Sequence, residues 1–202
     1  MDSAKIRLSA AELELVCDPT WILTKNEIIR KMGLLLGDVY EQQQDFIHSR
    51  KSFLPEEATL IPGKISKGEK YLGLPYLILD HPRIFQRSGV FAIRTMFLWG
   101  KFFSITLHLS GTYKEKLAEN ISCKYEQFFS DYFICVNEDQ WQHHFESSNY
   151  IPVKRMTEQQ FMMHVNEGPF LKIAKALPLQ QWDNAAQLLV NDFVFLLEKM
   201  EN

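Results

Sequence analysis

The sequence predicts an α+β fold in which a mainly antiparallel sheet of about five strands, with a central hairpin over residues 89–110, is packed by about five or six helices. Three observations predict it. Helix-capping sequences precede apolar residues at helical spacing four times along the chain. Two segments rich in β-branched and aromatic residues flank a short turn. No repeat or linker interrupts the 202 residues, so we expect a single domain over residues 1–202.

The N-terminal part of the chain is predicted to be helical. Capping boxes begin at Ser9 and at Thr24, each followed three residues later by glutamate. Apolar residues at helical spacing favour one continuous second helix over residues 24–49, with a break near Gly37 as the alternative. Gly33 and Gly37 are four residues apart, so another element is expected to approach the helix closely on that side.

The middle of the chain is predicted to form the sheet. Residues 71–80 have the composition of a strand, and Pro75 within them indicates an edge strand or a bulge. Residues 89–99 and 102–110 follow as the two strands of the hairpin. Residues 52–70, with their prolines, glycines and charges, are predicted to be a loop that serves as a flap or a connector.

The C-terminal part is predicted to mix helices with short strands. Capping boxes at Thr112 and Thr157 begin two helices, and Gly168 ends the second. Weaker patterns predict a short helix and two short strands, over residues 138–145, 132–136 and 170–176. The strongest apolar stripe marks the last helix and consists of Ala186, Leu189, Val190, Phe193, Leu196, Leu197 and Met200.

The hairpin turn sets which side chains share a face. With Gly100 and Lys101 as a two-residue turn, Arg94 lies opposite Leu107. Side chains alternate along a strand, so this register places Arg94 and His108 on opposite faces, and a shift of one residue would place them together. Large apolar residues occur on both faces. We therefore expect the hairpin to lie centrally, with one face on helices and the other on helices or on a partner subunit of a homodimer.

Arg94 is expected among apolar side chains of the hairpin. A buried guanidinium requires a carboxylate, backbone carbonyls or an anionic ligand, because an unpaired buried charge is too costly. Asp80, at the end of the preceding strand, is a candidate partner, and Glu115 and Glu126 are others. The alternatives are a buried ion pair, an arginine whose head reaches the rim of the sheet, and an arginine that binds a small anion.

Two histidines are candidates for proton transfer. His108 ends its strand beside hydroxyl side chains, a position typical of a neutral imidazole, although a general base there would need a nearby carboxylate and a cleft. His81 lies with Asp80 and Arg83 in a polar corner after an apolar strand. Such a corner either turns the chain or lines a site.

Composition and motifs argue against several classes of function. The net charge is −3 and no more than two basic residues are adjacent, which disfavours nucleic-acid binding. The adjacent His143 and His144 do not have metal-ligand spacing, and the three cysteines form neither a CxxC pair nor a disulfide framework. Sequence motifs for cofactors and common catalytic machinery are missing. We therefore expect no metal and no cofactor.

The chain is expected to be cytoplasmic. Its most apolar stretch, residues 90–109, contains Arg94, Lys101 and His108, which disfavours a membrane span. The first residues show no apolar run of the kind found in signal peptides.

Two function classes remain. The first is a non-catalytic binding or self-associating protein, favoured by the two apolar faces and the missing catalytic motifs. The second is an enzyme or small-molecule binder for an anionic substrate, with Arg94 and Arg83 on the anion and His108 or His81, oriented by Asp80, transferring the proton. A cavity beside Arg94 would discriminate between them.

Overall fold

The computed structural model of the chain describes residues 6–50 and 54–201. Seven strands occur in these ranges: β1 (Lys64–Tyr71), β2 (Leu74–Gln86), β3 (Gly89–Leu98), β4 (Phe102–Ser110), β5 (Phe133–Cys135), β6 (Tyr150–Pro152) and β7 (Phe170–Leu177). They form one antiparallel sheet in the order β1-β2-β3-β4-β7-β5-β6. The predicted α+β class and the central hairpin, β3 and β4, are confirmed, but the sheet has seven strands rather than about five.

Helices precede, interrupt and follow the sheet. The seven α-helices of the described ranges are α1 (Ala10–Cys17), α2 (Thr20–Ser49), α3 (Glu56–Leu60), α4 (Gly111–Ser122), α5 (Tyr125–Phe128), α6 (Glu158–Glu167) and α7 (Ala185–Glu198). None of the helices described is both long and apolar enough to cross a bilayer.

Helix α2 is continuous, as the apolar spacing predicts, but it begins earlier than expected. Its 30 residues run through Gly33 and Gly37 without a break. Thr24 lies inside the first turns, where its hydroxyl donates to the carbonyl of Thr20 rather than capping the helix. A Cβ atom built at either glycine meets nothing within 4 Å, so the expected close approach of another element is wrong.

Two of the other three predicted capping boxes are confirmed. Ser9 caps α1 and Thr157 caps α6, each with the reciprocal bonds of a capping box. The box predicted at Thr112 is wrong, because α4 begins at Gly111. The side chain of the preceding residue, Ser110, instead accepts a hydrogen bond from the backbone of Val90 at 2.9 Å.

The segment of residues 52–70 is not a loop. Residues 52 and 53 lie outside the described ranges, and the remainder contains α3 and most of β1. Strand β1 is the edge of the sheet and is rich in lysine, a composition that discourages pairing with another sheet and resembles a loop in sequence. Pro75 lies near the start of β2, which pairs on both sides, so the alternative of an edge strand is wrong.

One face of the sheet carries the main core. Helices α2, α4 and α7 pack on this face, against β2, β3 and β4. The side chains that β3 and β4 direct into it are all apolar except Thr95, and those in the core are Phe91, Ile93, Phe97, Phe103, Ile105, Leu107 and Leu109. Burial of these side chains is the main stabilisation of the fold.

The opposite face is covered by an irregular segment, residues 136–149, which we call the strap. It connects β5 to β6 and contains no helix or strand, so the helix predicted over residues 138–145 is wrong. Phe145 of the strap packs against Phe102 of β4, with ring centroids 4.9 Å apart, and stacks on Tyr150 of β6. This face is therefore occupied by the chain itself, which removes the basis for placing a partner subunit there.

A close backbone contact joins the β2–β3 turn to the start of α4. Gly111 has φ 54°, and a Cβ atom there would lie 2.0 Å from the carbonyl oxygen of Ser88. We expect Gly111→Ala to lower the free energy of unfolding by about 2 kcal/mol or more, because the backbone must shift. Gly37→Ala is the matched control, and we expect it to raise stability by up to about 1 kcal/mol. Urea denaturation of both variants tests this, and equal stability of Gly111→Ala and the unaltered protein would contradict it.

Candidate functional site

The hairpin turn contains three residues rather than two. Leu98 pairs with Phe102, and residues 99–101 form the loop between them. Gly100 takes a left-handed conformation in this loop, with φ 69°, and Lys101 donates its backbone N–H to the carbonyl of Leu98. The register predicted for a two-residue turn is therefore wrong by one residue.

This shift brings Arg94 and His108 to the same face. Arg94 pairs with Thr106 rather than Leu107. Two residues further along β4, His108 points to the same side of the sheet as Arg94. The prediction that they lie on opposite faces is wrong, and both lie beneath the strap.

Arg94 is the centre of a polar network. Its Nε and Nη2 atoms donate to Oδ1 and Oδ2 of Asp80 at 2.7 and 2.9 Å, in the bidentate geometry typical of strong arginine–carboxylate pairs. The predicted ion pair with Asp80 is confirmed, whereas Glu115 and Glu126 are exposed on α4 and α5. Arg94 Nη1 lies 2.8 Å from His143 Nε2. Because a guanidinium only donates, His143 Nε2 must be unprotonated and accept.

Hydrogen bonds from several strands hold the strap against the sheet. The hydroxyl of Tyr71, at the end of β1, accepts hydrogen bonds from the backbone N–H groups of His143 and His144 at 2.7 and 2.9 Å. Nearer the start of the strap, His108 Nε2 lies 2.9 Å from Gln140 Oε1. Lys172 of β7 donates to the backbone carbonyl of Gln142, which is also in the strap. These contacts connect β1, β3, β4 and β7 through one segment.

The ionisable groups under the strap are strongly affected by burial. Burial lowers the pKa of His108 to about 4; the hydrogen bond that its Nε2–H donates to Gln140 Oε1 opposes this shift, and the charges of Lys172 and Arg94 add to it. Burial, and then the charge of Arg94, lower the pKa of His143 to about 2. Burial also lowers the pKa of Lys172 to about 8. At neutral pH both histidines are therefore neutral, and Lys172 is mostly protonated.

A cavity of about 370 Å³ opens beside Arg94, and we call it the Arg94 cavity. Ile78 and Met96 lie on its sheet side, and the strap supplies Trp141, which is 46% exposed at its rim. The cavity therefore has apolar and aromatic surfaces with a cationic group among them, the combination common in small-molecule sites. Its lining residues are Ser66, Tyr71, Tyr76, Ile78, Arg94, Met96, Trp141 and His143.

Two of the predicted site residues lie away from this network. His81 faces the helical layer, where its Nδ1 is 3.3 Å from Gln43 Oε1 and its ring stacks on Phe193 of α7. Adjacent residues of a strand point to opposite faces, so Asp80 faces the strap whereas His81 faces the helical layer. Arg83 donates through Nε to the carbonyl of Pro62 at 2.9 Å. The structure thus brings together Arg94, Asp80 and His108, and separates them from His81 and Arg83.

Sequence reasoning missed the residues that complete the site. His143, Trp141, Tyr71 and Lys172 come from the strap, β1 and β7, at sequence distances that no local pattern reports. The sequence did contain one signal for Lys172, because this lysine is flanked by two apolar residues on each side, at 170–171 and 173–174, within a predicted strand. A lysine in such a run must find a polar partner, as Arg94 does.

Comparison with known proteins adds no assignment. No protein-family model matches the sequence, and neither curated proteins nor solved structures give a significant match. Within the residues described here, no group of three or more His, Cys, Asp or Glu side chains is arranged to hold a metal ion. The chemistry of the Arg94 cavity is therefore argued from its own geometry.

Proposed function

We propose that this protein binds a small organic anion in the Arg94 cavity. The observation that supports it best is that Arg94, a largely buried arginine, lines an apolar and aromatic cavity of about 370 Å³. That volume is near the lower end of the range for ligand sites, so the proposed ligand is a compact molecule such as a monocyclic carboxylate.

The hydrogen-bonding capacity of Arg94 supports an anion. A guanidinium has five N–H donors. Asp80 receives two of them and His143 receives one. Two N–H groups of Arg94 have no partner among the described contacts. Two is the number needed to bind a pair of oxygens on a carboxylate or phosphate ligand.

The charge of the sheet face beneath the strap also supports an anionic ligand. Arg94 is paired with a carboxylate, but Lys172 is 1% exposed and its Nζ contacts the carbonyl of Gln142 and the ring of Tyr150. Among the described residues no carboxylate bonds to Lys172, and the charge of Asp139 in the strap, which acts on it, is exposed to solvent and screened. The buried groups Arg94, Asp80 and Lys172 therefore carry one net positive charge together at neutral pH. A buried excess of positive charge favours an anionic ligand.

Binding is favoured over proton transfer in this proposal. The pKa of about 4 for His108 and for His81 leaves both imidazoles neutral and weakly basic at neutral pH. Efficient general bases have pKa values near the working pH. Asp80 is engaged by Arg94, and in the described part of the chain it bonds to no histidine. The enzyme hypothesis accordingly stays a prediction from sequence.

Benzoate and its neutral counterpart benzamide test the proposal directly. We expect benzoate to bind in calorimetry and, at 100 times its Kd, to add about 2.7 kcal/mol of stability, which is roughly a 5–10 °C rise in Tm for a chain of this size. Benzamide has the same ring without the charge, so we expect it to give no measurable shift.

A variant that fills the cavity provides the second half of the test. Ser66 lines the cavity and is half-buried on the edge strand, so Ser66→Tyr is expected to abolish benzoate binding while the protein stays folded. Ser66→Ala, which leaves the space open, is the matched control and should bind as the unaltered protein does. Equal responses to benzoate and benzamide, or benzoate binding that survives Ser66→Tyr, would overturn the proposal.

A further inference from the structure

The N-terminal arm, which we define as residues 6–19, exposes an unusual amount of apolar surface. No residue of α1 within it is buried. Five of the 17 exposed large apolar residues of the described ranges lie in this short segment: Ile6, Leu8, Leu13, Leu15 and Val16. Monomeric proteins seldom keep such a cluster in water, which marks the arm as an interaction surface.

An apolar groove lies at the same end of the molecule. It has a volume of about 550 Å³ and lies between the first turns of α2 and the turn that joins β1 to β2. Its apolar lining includes Trp21, Ile28, Leu74, Pro75 and Trp99. A second cavity of about 550 Å³ continues along α2 and β1, and both cavities include Glu69. In the single chain, α1 leaves this groove open.

We propose that two copies of this chain form a symmetric dimer in which the arm of each copy packs into the α2–β1 groove of the other. The groove follows α2 from residue 21 to residue 33, about 18 Å at helical rise, and the eight residues of α1 span about 12 Å. The groove is therefore long enough to receive α1. Because each chain carries both surfaces, a two-fold axis satisfies both at once.

The charges of the two surfaces are complementary. The arm contains Arg7 and three acidic residues, Glu12, Glu14 and Asp18, for a net charge of −2. Strand β1, which borders the groove, contains Glu69 and three exposed lysines, Lys64, Lys67 and Lys70, for a net charge of +2. Opposite charges of this kind favour one orientation of the arm on the groove and assist association.

The area available matches that of a stable interface. The five exposed apolar residues of the arm are 51–100% accessible. At roughly 175 Å² for each fully exposed side chain, their exposed surface amounts to about 570 Å² per chain, so the two arms alone contribute about 1,150 Å², and the groove surfaces that they cover bring the total into the ~1,600 Å² class of a typical specific interface. The negative charge of the arm disfavours the alternative of an anionic membrane surface.

Light scattering coupled to size-exclusion chromatography tests the dimer. We expect twice the chain mass of 23.7 kDa for the unaltered protein and the monomer mass for a Leu13→Glu/Val16→Glu variant. This variant is expected to fold, because neither residue is buried. Leu60→Glu/Met163→Glu changes two equally exposed residues outside the arm, and we expect it to remain dimeric.

Cross-linking between isotopically distinct copies tests the arrangement. Cys17 lies exposed at the end of α1. In a Cys123→Ser background, a thiol-to-amine cross-linker applied to mixed ¹⁴N and ¹⁵N chains should join Cys17 of one isotope to Lys67 or Lys70 of the other. A monomer mass at about 100 μM, a dimer unaffected by Leu13→Glu/Val16→Glu, cross-links confined to chains of one isotope, or arm-dependent sedimentation with anionic lipid vesicles would each overturn the proposal.

Discussion

Arg94→Met is expected to lower the free energy of unfolding by about 3–5 kcal/mol, because it leaves a buried carboxylate without its partner. The side chains of Arg94 and Asp80 are only 16% and 11% exposed, and two hydrogen bonds of 2.7 and 2.9 Å join them. The same change removes the donor to His143, so the strap loses one of its attachments. Urea denaturation followed by far-UV circular dichroism measures the loss.

The double variant Asp80→Leu/Arg94→Met distinguishes the buried charge from the lost contact. Replacing a buried ion pair by apolar residues of similar volume is often neutral or stabilising, whereas removing one partner is not. We therefore expect the double variant to recover most of the stability lost in Arg94→Met. It should not bind benzoate, because the cation has gone. If Arg94→Met alone stays within about 1 kcal/mol of the unaltered protein, the pair is too well solvated to matter.

The fold was more predictable from the sequence than the site, because the two depend on different interactions. The β-branched and aromatic residues of two segments that flank a glycine turn were sufficient to predict the 89–110 hairpin, because such residues pack well on a pleated, buried sheet. The turn at Gly100 was ambiguous, since glycine suits both a two-residue and a three-residue loop. The predicted register mixed Arg94 with apolar residues on one face and His108 on the other. The observed register gathers the polar side chains of both strands, except Thr95, on one face, and that segregation was a usable criterion.

The site depended on contacts that sequence patterns do not report. The bond between Arg94 and His143 joins residues 49 positions apart, through a strap with no regular structure. Asp80 was predictable because a buried guanidinium in a strand selects a carboxylate on the neighbouring strand. No equivalent rule specifies where an irregular segment crosses a sheet. Strand β1 was missed for a related reason, because an edge strand protected by lysines resembles a loop.

Acid is expected to destabilise the protein steeply between pH 6.5 and 5. Burial lowers the pKa of His81 and of His108 to about 4 and that of His143 to about 2 in the folded protein. In the unfolded chain histidine titrates near 6.5. As the pH falls below 6.5, the unfolded chain takes up protons that the folded protein does not, so the free energy of unfolding decreases.

The size of the effect approaches the total stability of a small protein. By pH 5 each histidine that stays neutral in the folded state costs about 2 kcal/mol relative to pH 7. Three such histidines together cost about 5–6 kcal/mol, against total stabilities of about 5–15 kcal/mol. Most carboxylates of an unfolded chain titrate below this window, so they contribute little to the slope between pH 6.5 and 5.

Urea denaturation at pH 7, 6 and 5 and constant ionic strength measures this slope, and His108→Gln assigns part of it. His108 lies against Gln140 and Trp141 beneath the strap, where a neutral amide retains hydrogen-bonding capacity without taking up a proton. We expect the variant to lose about a third of the pH dependence, because one of three buried imidazoles no longer titrates on unfolding. A free energy of unfolding that is the same at pH 7 and pH 5 would mean that these histidines are solvated in the native protein. In that case the strap does not exclude water from the sheet face, and the Arg94 cavity lacks the low-dielectric surroundings on which its preference for an anion depends.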